Sequence, residues 1–116
     1  MNSNGIDIVK IERFDTLKNN SSLMKSIFTE NEIKYINSRN NNSSTIAGLY
    51  AAKEGFLKAI KKGINDYSLK DIEISHDNNN APFIILNNSL KDKYPNYSVS
   101  ISHDGEYAIA SVILFN

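Results

Sequence analysis

Residues 5–11 (GIDIVKI) set β-branched positions after a glycine and predict a strand. A short helix is predicted over residues 12–18, broken at Asn19-Asn20-Ser21-Ser22, with a second helical piece over 23–27. Thr29-Glu30-Asn31-Glu32 has the form of a capping box, so a helix should follow through Ser38. The tract 40–43 reads as a loop. The clearest helical pattern is TIAGLYAAKEGFLKAIKK, from Ser44 or Thr45 to Lys62, capped by that Ser or Thr. Lys61 and Lys62 fall in its last turn, and Gly63 serves as a left-handed stop. Strands are predicted over 69–77 and 82–86, joined at Asn78-Asn79-Asn80. A short helix over 90–94 ends at Pro95. A second hairpin pairs 97–103 with 107–115 across Asp104-Gly105. One strand, then helices, then four strands predicts an α+β fold in a single domain over 1–116. An antiparallel sheet packs against one long helix and several short ones. ISHD occurs at 74–77 and at 101–104, but the two hairpins otherwise differ, so the repeat is read as coincidence.

Two acids break this pattern. Period 2 places Asp7 on the face of Val9 and Ile11. Ile46, Tyr50, Leu57 and Ile60 form a stripe at helical spacing, and Glu54 lies inside it. A carboxylate in such a place needs a cation or a set of donors. The plainer alternative is that each acid pairs with a lysine or caps a backbone group. As a metal site, two such oxygen ligands suit a hard cation, and Mg²⁺ takes one or two carboxylates plus phosphate and water. Lys58, four residues after Glu54, shares its side of the helix. It reads either as a surface ion pair or as a cation beside a metal. Lys53 points about 100° away from Glu54, toward solvent or a second phosphate. His103 and His76 both end strands, where a lone histidine is commonly structural or merely exposed.

Composition narrows the field. The 116 residues are 41% hydrophobic and 22% charged, with 13 basic against 13 acidic side chains. No global basic field argues for nucleic acid, and no acidic excess argues for disorder. The absence of cysteine excludes disulfides, thiolate metal sites and cysteine nucleophiles. No apolar run approaches the ~18 residues of a membrane span, and MNSNGIDIVK lacks a signal-peptide pattern. A cytoplasmic protein is expected, with no membrane partner. No Walker-type loop, Ser-His-Asp order or histidine-rich metal spacing is present. The residues alone therefore reach a small α+β domain with a candidate two-carboxylate Mg²⁺ site, and no substrate.

Five segments resemble a known family in order and spacing, from Gly5 to Leu114. GIDIVKIERF resembles the opening motif G-[IL]-D-[IL]-x-x-[IL]-x-R-[IF] of holo-acyl-carrier-protein synthases. FTENE is similar to their F-T-x-x-E, and IAGLYAAKEGFLKAI to their L-A-G-R-F-A-A-K-E-A-x-x-K-A helix. DIEI followed by DNNNAPFIIL resembles their D-I-E-V and D-x-x-G-x-P hairpin. SVSISHDGEYAIASVIL resembles V-S-[IL]-S-H-[TS]-x-x-Y-A-x-A-x-V. The resemblance implies transfer of 4′-phosphopantetheine from coenzyme A to a serine of acyl carrier protein, in fatty acid biosynthesis. It implies that Asp7 and Glu54 bind Mg²⁺ and that Lys58 faces the phosphates of coenzyme A. It sets His103 near the 3′-phosphate end and Arg13 against the acidic helix of the carrier, with Lys18 and Lys25 extending a modest basic face. Glu54, directly or through water, is the candidate base for the serine hydroxyl. Homotrimers with active sites between subunits are also implied.

The chain departs from the family pattern at several positions. Leu49 stands where an arginine is frequent, which removes a guanidinium contact to phosphate. Asp104 replaces the residue after the histidine and brings a negative charge near the expected phosphate. Gly55 replaces alanine, and asparagines replace basic residues before the long helix. Two rival readings are a non-catalytic module that binds coenzyme A or carrier protein, and a purely structural oligomer.

Overall fold

In the computed structural model, residues 2–61, 66–87 and 89–116 are described. The chain runs β1 (Ser3–Lys10), α1 (Arg13–Leu17), α2 (Ser21–Ile27), α3 (Glu30–Ser38) and α4 (Ser43–Ala59). A 3₁₀ turn (Leu69–Asp71) leads into β2 (Ile72–His76), β3 (Pro82–Leu86), α5 (Ser89–Lys93), β4 (Tyr97–Asp104) and β5 (Tyr107–Leu114). The α+β class is as expected, but the strands form two sheets. One is antiparallel in the order β1-β5-β4, and the other is the β2-β3 hairpin. The Tyr97 hydroxyl donates to the Ile84 carbonyl and ties the two sheets together.

Helix α4 packs against the inner face of β1, β5 and β4. Small residues let it come close. Ala108 and Ala110 of β5 are fully buried beneath it. Gly5 is closer still: a Cβ there would lie 2.0 Å from the Gly55 carbonyl oxygen and 2.5 Å from the Ala59 nitrogen. Strand and helix backbones therefore touch at this crossing. Phe14, Phe28, Phe56, Ile46 and Leu57 fill the core around α4.

Several boundaries differ from expectation for local reasons. Asn42, not a Ser or Thr, caps α4 by accepting from the Ser44 amide, so Ser43 opens the helix. Ser43 is itself buried and donates to Asp15, tying α1 to α4. Asn40 and Asn41 take left-handed φ values of 62° and 51° in the connection before it. At the other end the helix stops at Ala59, with Lys61 left-handed at φ 61°. The expected stop at Gly63 and the Lys62 of the last turn lie outside the described residues.

Residues 69–71 form a 3₁₀ turn rather than strand, because Ser68 and Asp71 make a reciprocal capping box. The Thr29–Glu32 box forms as expected. Asn20 caps α2, so Ser21 and Ser22 start that helix instead of breaking it. The β4-β5 turn falls one residue later than expected, at Gly105-Glu106, since Asp104 still pairs with Tyr107. No helix among the described residues is long and apolar enough to cross a membrane.

Candidate active site

Asp7 projects from the inner face of β1, two residues after the Gly5 contact and paired in register with Ala110. Its side chain retains 15% exposure, so the period-2 reading of this acid holds. Glu54 immediately precedes Gly55, whose carbonyl meets Gly5, and is half-buried. The two acids thus belong to elements that cross at one point. Lys58 reaches over this crossing: its ammonium donates to Asp7 Oδ1 at 2.9 Å and to the Ile6 carbonyl at 3.1 Å. The cation on α4 is therefore partnered across to β1, rather than along the helix with Glu54.

Tyr50 lies one turn before Glu54, and the charges of Glu54 and Arg13 both act on its phenol. Arg13 also lies over its ring, 5.4 Å from the centroid. Burial, then the Glu54 charge, pushes the Tyr50 phenol above its ordinary value, while Arg13 acts in the opposite sense. This links Arg13 of α1 to the part of α4 that carries Glu54. Sequence reading took Tyr50 only as part of an apolar stripe; the signal it missed was a hydroxyl one turn from a misplaced acid.

Lys53 corrects an expectation. It faces neither solvent nor a phosphate, being fully buried. Its ammonium pairs with Glu32 at 2.7 Å and donates to the Leu69 and Ile72 carbonyls, each at 2.8 Å. Those three acceptors match the three ammonium protons. Glu32 also accepts from the Thr29 and Ile74 amides. Burial raises the Glu32 pKa and lowers that of Lys53, while each partner's charge pulls the other back. Lys53 is thus a packing cation that joins α4 to α3 and β2.

His103 ends the inner face of β4 and contacts the Ser44 carbonyl through Nε2 at 2.8 Å. A Cβ on Gly48 would lie 3.0 Å from that ring, a tight approach that the ring would have to relieve by a few tenths of an ångström. Beside His103 opens a cleft of about 280 Å³, lined also by Leu49, Ile101, Pro82, Tyr35 and Arg39. His76 and Asn80 lie in it too. The two ISHD segments therefore bring both histidines to one cleft. The His76 ring stacks on Tyr35 at 4.0 Å, and its Nδ1 is buried without a partner among the described residues. Burial, and then the Arg39 charge, hold the His76 imidazole below its ordinary 6.5, with Asp77 pulling it back. Asp104 does not line the cleft, since alternation turns it to the other face of β4 from His103. The negative charge of Asp104 therefore lies on the opposite face of β4 from this cleft.

Of the basic face, Arg13 and Lys25 are exposed. Lys18 and Lys25 line one shallow depression between α1, α2 and α3, whereas Arg13 turns to Tyr50. Among the described residues no group of three or more His, Asp or Glu side chains is arranged to hold an ion. The oxygen-only donor set of Asp7 and Glu54 nevertheless fits Mg²⁺, which needs few protein ligands when phosphates and water complete its shell.

The 4′-phosphopantetheinyl transferase superfamily model matches residues 3–112. The holo-[acyl-carrier-protein] synthase of Caldicellulosiruptor saccharolyticus is 45% identical over 114 residues, covering 94% of this chain and 92% of that protein. The crystal structure of the Helicobacter pylori holo-[acyl-carrier-protein] synthase in complex with coenzyme A is similar at a TM-score of 0.87 and 36% identity. That match covers 97% of this chain and 99% of the other. The Bacillus anthracis holo-(acyl-carrier-protein) synthase, in complex with CoA (3′,5′-ADP), is similar at 0.82 and 32% identity, over 97% and 94% of the two chains. With a family match over residues 3–112 and close relatives similar over nearly the whole length, this chain belongs to the 4′-phosphopantetheinyl transferase superfamily, among its holo-[acyl-carrier-protein] synthases.

Proposed function

We propose that this protein transfers 4′-phosphopantetheine from coenzyme A to a serine of apo-acyl carrier protein, releasing adenosine 3′,5′-bisphosphate. The observation that carries the reading is the Asp7–Lys58 ion pair where β1 crosses α4, one helical turn from Glu54. Asp7 and Glu54 would hold Mg²⁺, which when bound neutralises pyrophosphate charge as a Lewis acid. The serine oxygen forms a bond to the phosphorus that carries pantetheine, and the pyrophosphate P–O bond breaks. The hydroxyl proton passes to Glu54. Lys58, half-exposed and held by Asp7 and the Ile6 carbonyl, is aimed to stabilise charge on the departing bisphosphate. His103 and its cleft receive the nucleotide end. Arg13, Lys18 and Lys25 meet the acidic carrier.

Self-association into a homotrimer, with sites shared between subunits, is supported by the outer face of the β1-β5-β4 sheet. Ile6, Ile8 and Ile113 are 53%, 61% and 47% exposed there. An uncovered apolar sheet face is a favoured contact surface. The proposed setting is fatty acid biosynthesis in the cytoplasm.

The test is incubation of the protein with apo-carrier, coenzyme A and Mg²⁺, read by mass spectrometry. The carrier should gain one phosphopantetheine group, and Asp7→Ala or Glu54→Gln should abolish the gain while the fold survives. An unchanged carrier mass with the wild type would remove the reading. Full activity in either variant would remove the two-carboxylate site.

A further inference from the structure

The cleft beside His103 has an unusual charge balance. Its floor includes Leu49, only 2% exposed, where the family pattern often places an arginine. None of its described lining residues is a carboxylate, and none is a lysine. Its one permanent cation among them is Arg39, the residue that follows α3.

Arg39 is held in place from two sides. Its Nη2 donates to Asn80 Oδ1 at 2.9 Å, and its guanidinium lies 5.3 Å from the centroid of the Tyr35 ring. The Tyr35 hydroxyl donates to the same Asn80 oxygen at 3.0 Å. Asn80 closes the β2-β3 turn with φ 62°, and the Tyr35 ring is itself held by stacking with His76. An exposed arginine normally loses much side-chain entropy on gripping a ligand. Here helix α3 and the hairpin have already restricted it. A guanidinium carries five N–H donors, so the bond to Asn80 leaves others to serve two oxygens of a phosphate.

We propose that Arg39 is a phosphate-binding residue of this cleft, supplying from the end of α3 the guanidinium that position 49 of α4 lacks. Its ligand is the 3′-phosphate of the nucleotide end of coenzyme A, shared with His103. The proposal rests on the transferase reading above and adds one residue, Arg39, to it.

Calorimetric titration of the full chain with coenzyme A and with dephospho-coenzyme A, which lacks the 3′-phosphate, tests it without turnover. A charge-assisted hydrogen bond is worth enough that Arg39→Gln should weaken coenzyme A binding about 10- to 100-fold. The same variant should bind dephospho-coenzyme A as the wild type does. Arg39→Lys keeps the charge but not the fork, and should lie between the two for coenzyme A. Unchanged coenzyme A affinity in Arg39→Gln overturns the assignment. Equal weakening toward both compounds also overturns it, since Arg39 would then act only by bracing Tyr35 and the hairpin. If the wild type binds neither compound, the transferase reading itself fails and takes this one with it. Thermal melts of each variant check that the fold is retained.

Discussion

Lys53 and Lys58 lie five residues apart on α4 and end in opposite surroundings. Lys58 keeps 54% of its side chain in solvent and pairs with Asp7, where it remains available to a phosphate. Lys53 has no exposure and is saturated by Glu32 and two carbonyls. Removing Lys53 would leave a buried carboxylate without its counter-charge, which costs about 3–5 kcal/mol. Lys53→Met should lose that much stability in urea unfolding, while its folded fraction turns over coenzyme A normally. A stable variant with impaired coenzyme A binding would return Lys53 to the ligand site. His76 gives a second residue-level prediction. Its pKa is depressed by folding, so the unfolded chain takes up this proton first as the pH falls through about 6.5. Its contribution is full above that pH and declines below it, until the folded group also protonates. His76→Gln should therefore lose stability less steeply than the wild type below pH 6.5. Parallel stability–pH curves for the two proteins would show that His76 is not depressed.

The decisive contact between elements is the crossing of β1 and α4. Gly5 is required because the backbone of the helix occupies the space of its missing Cβ. Gly5→Ala must push the two apart, at a cost of about 3 kcal/mol or more for an overpacked rigid contact. The same displacement moves Asp7 away from Lys58 and Glu54, so transfer activity should fall further than stability alone explains. Measuring the melting temperature and kcat of that variant side by side checks both effects. A second element-level feature is the short segment from α3 to α4. Its asparagines accept left-handed backbone and cap the next helix, which frees Arg39 to turn toward the hairpin.

On the scale of the whole molecule, one face of the main sheet is covered by α4, and the other carries exposed isoleucines among the described residues. Ile8 and Ile109 stand directly opposite each other on that second face, with Ile6 and Ile113 beside them. Such contiguous apolar surface is normally an association site. Ile8→Lys should lower the solution mass by light scattering from that of a trimer to that of a single chain, and should reduce activity if the sites lie between subunits. A wild type that is already monomeric would end the trimer proposal.

Much of the site was legible before folding was considered, because the relevant rules are local. Period 2 placed Asp7 inward, and a spacing of four then three residues placed Glu54 in an apolar stripe. A Thr-to-Glu spacing of three marked the capping box at Thr29. Each depends on bond geometry within a few residues, which a chain carries wherever it goes. Partner choice does not. Lys58 could equally have paired with Glu54 one turn away. The close passage of β1 at Gly5 gave it to Asp7, 51 positions distant. Lys53 looked solvent-facing until α3 and β2 closed over it. Arg39, His76 and His103 carry no common spacing, and only the packing of the hairpin against α3 and β4 brings them around one cleft. Electrostatic energy depends on distance and burial, and both are set by which remote segments come to rest against each other.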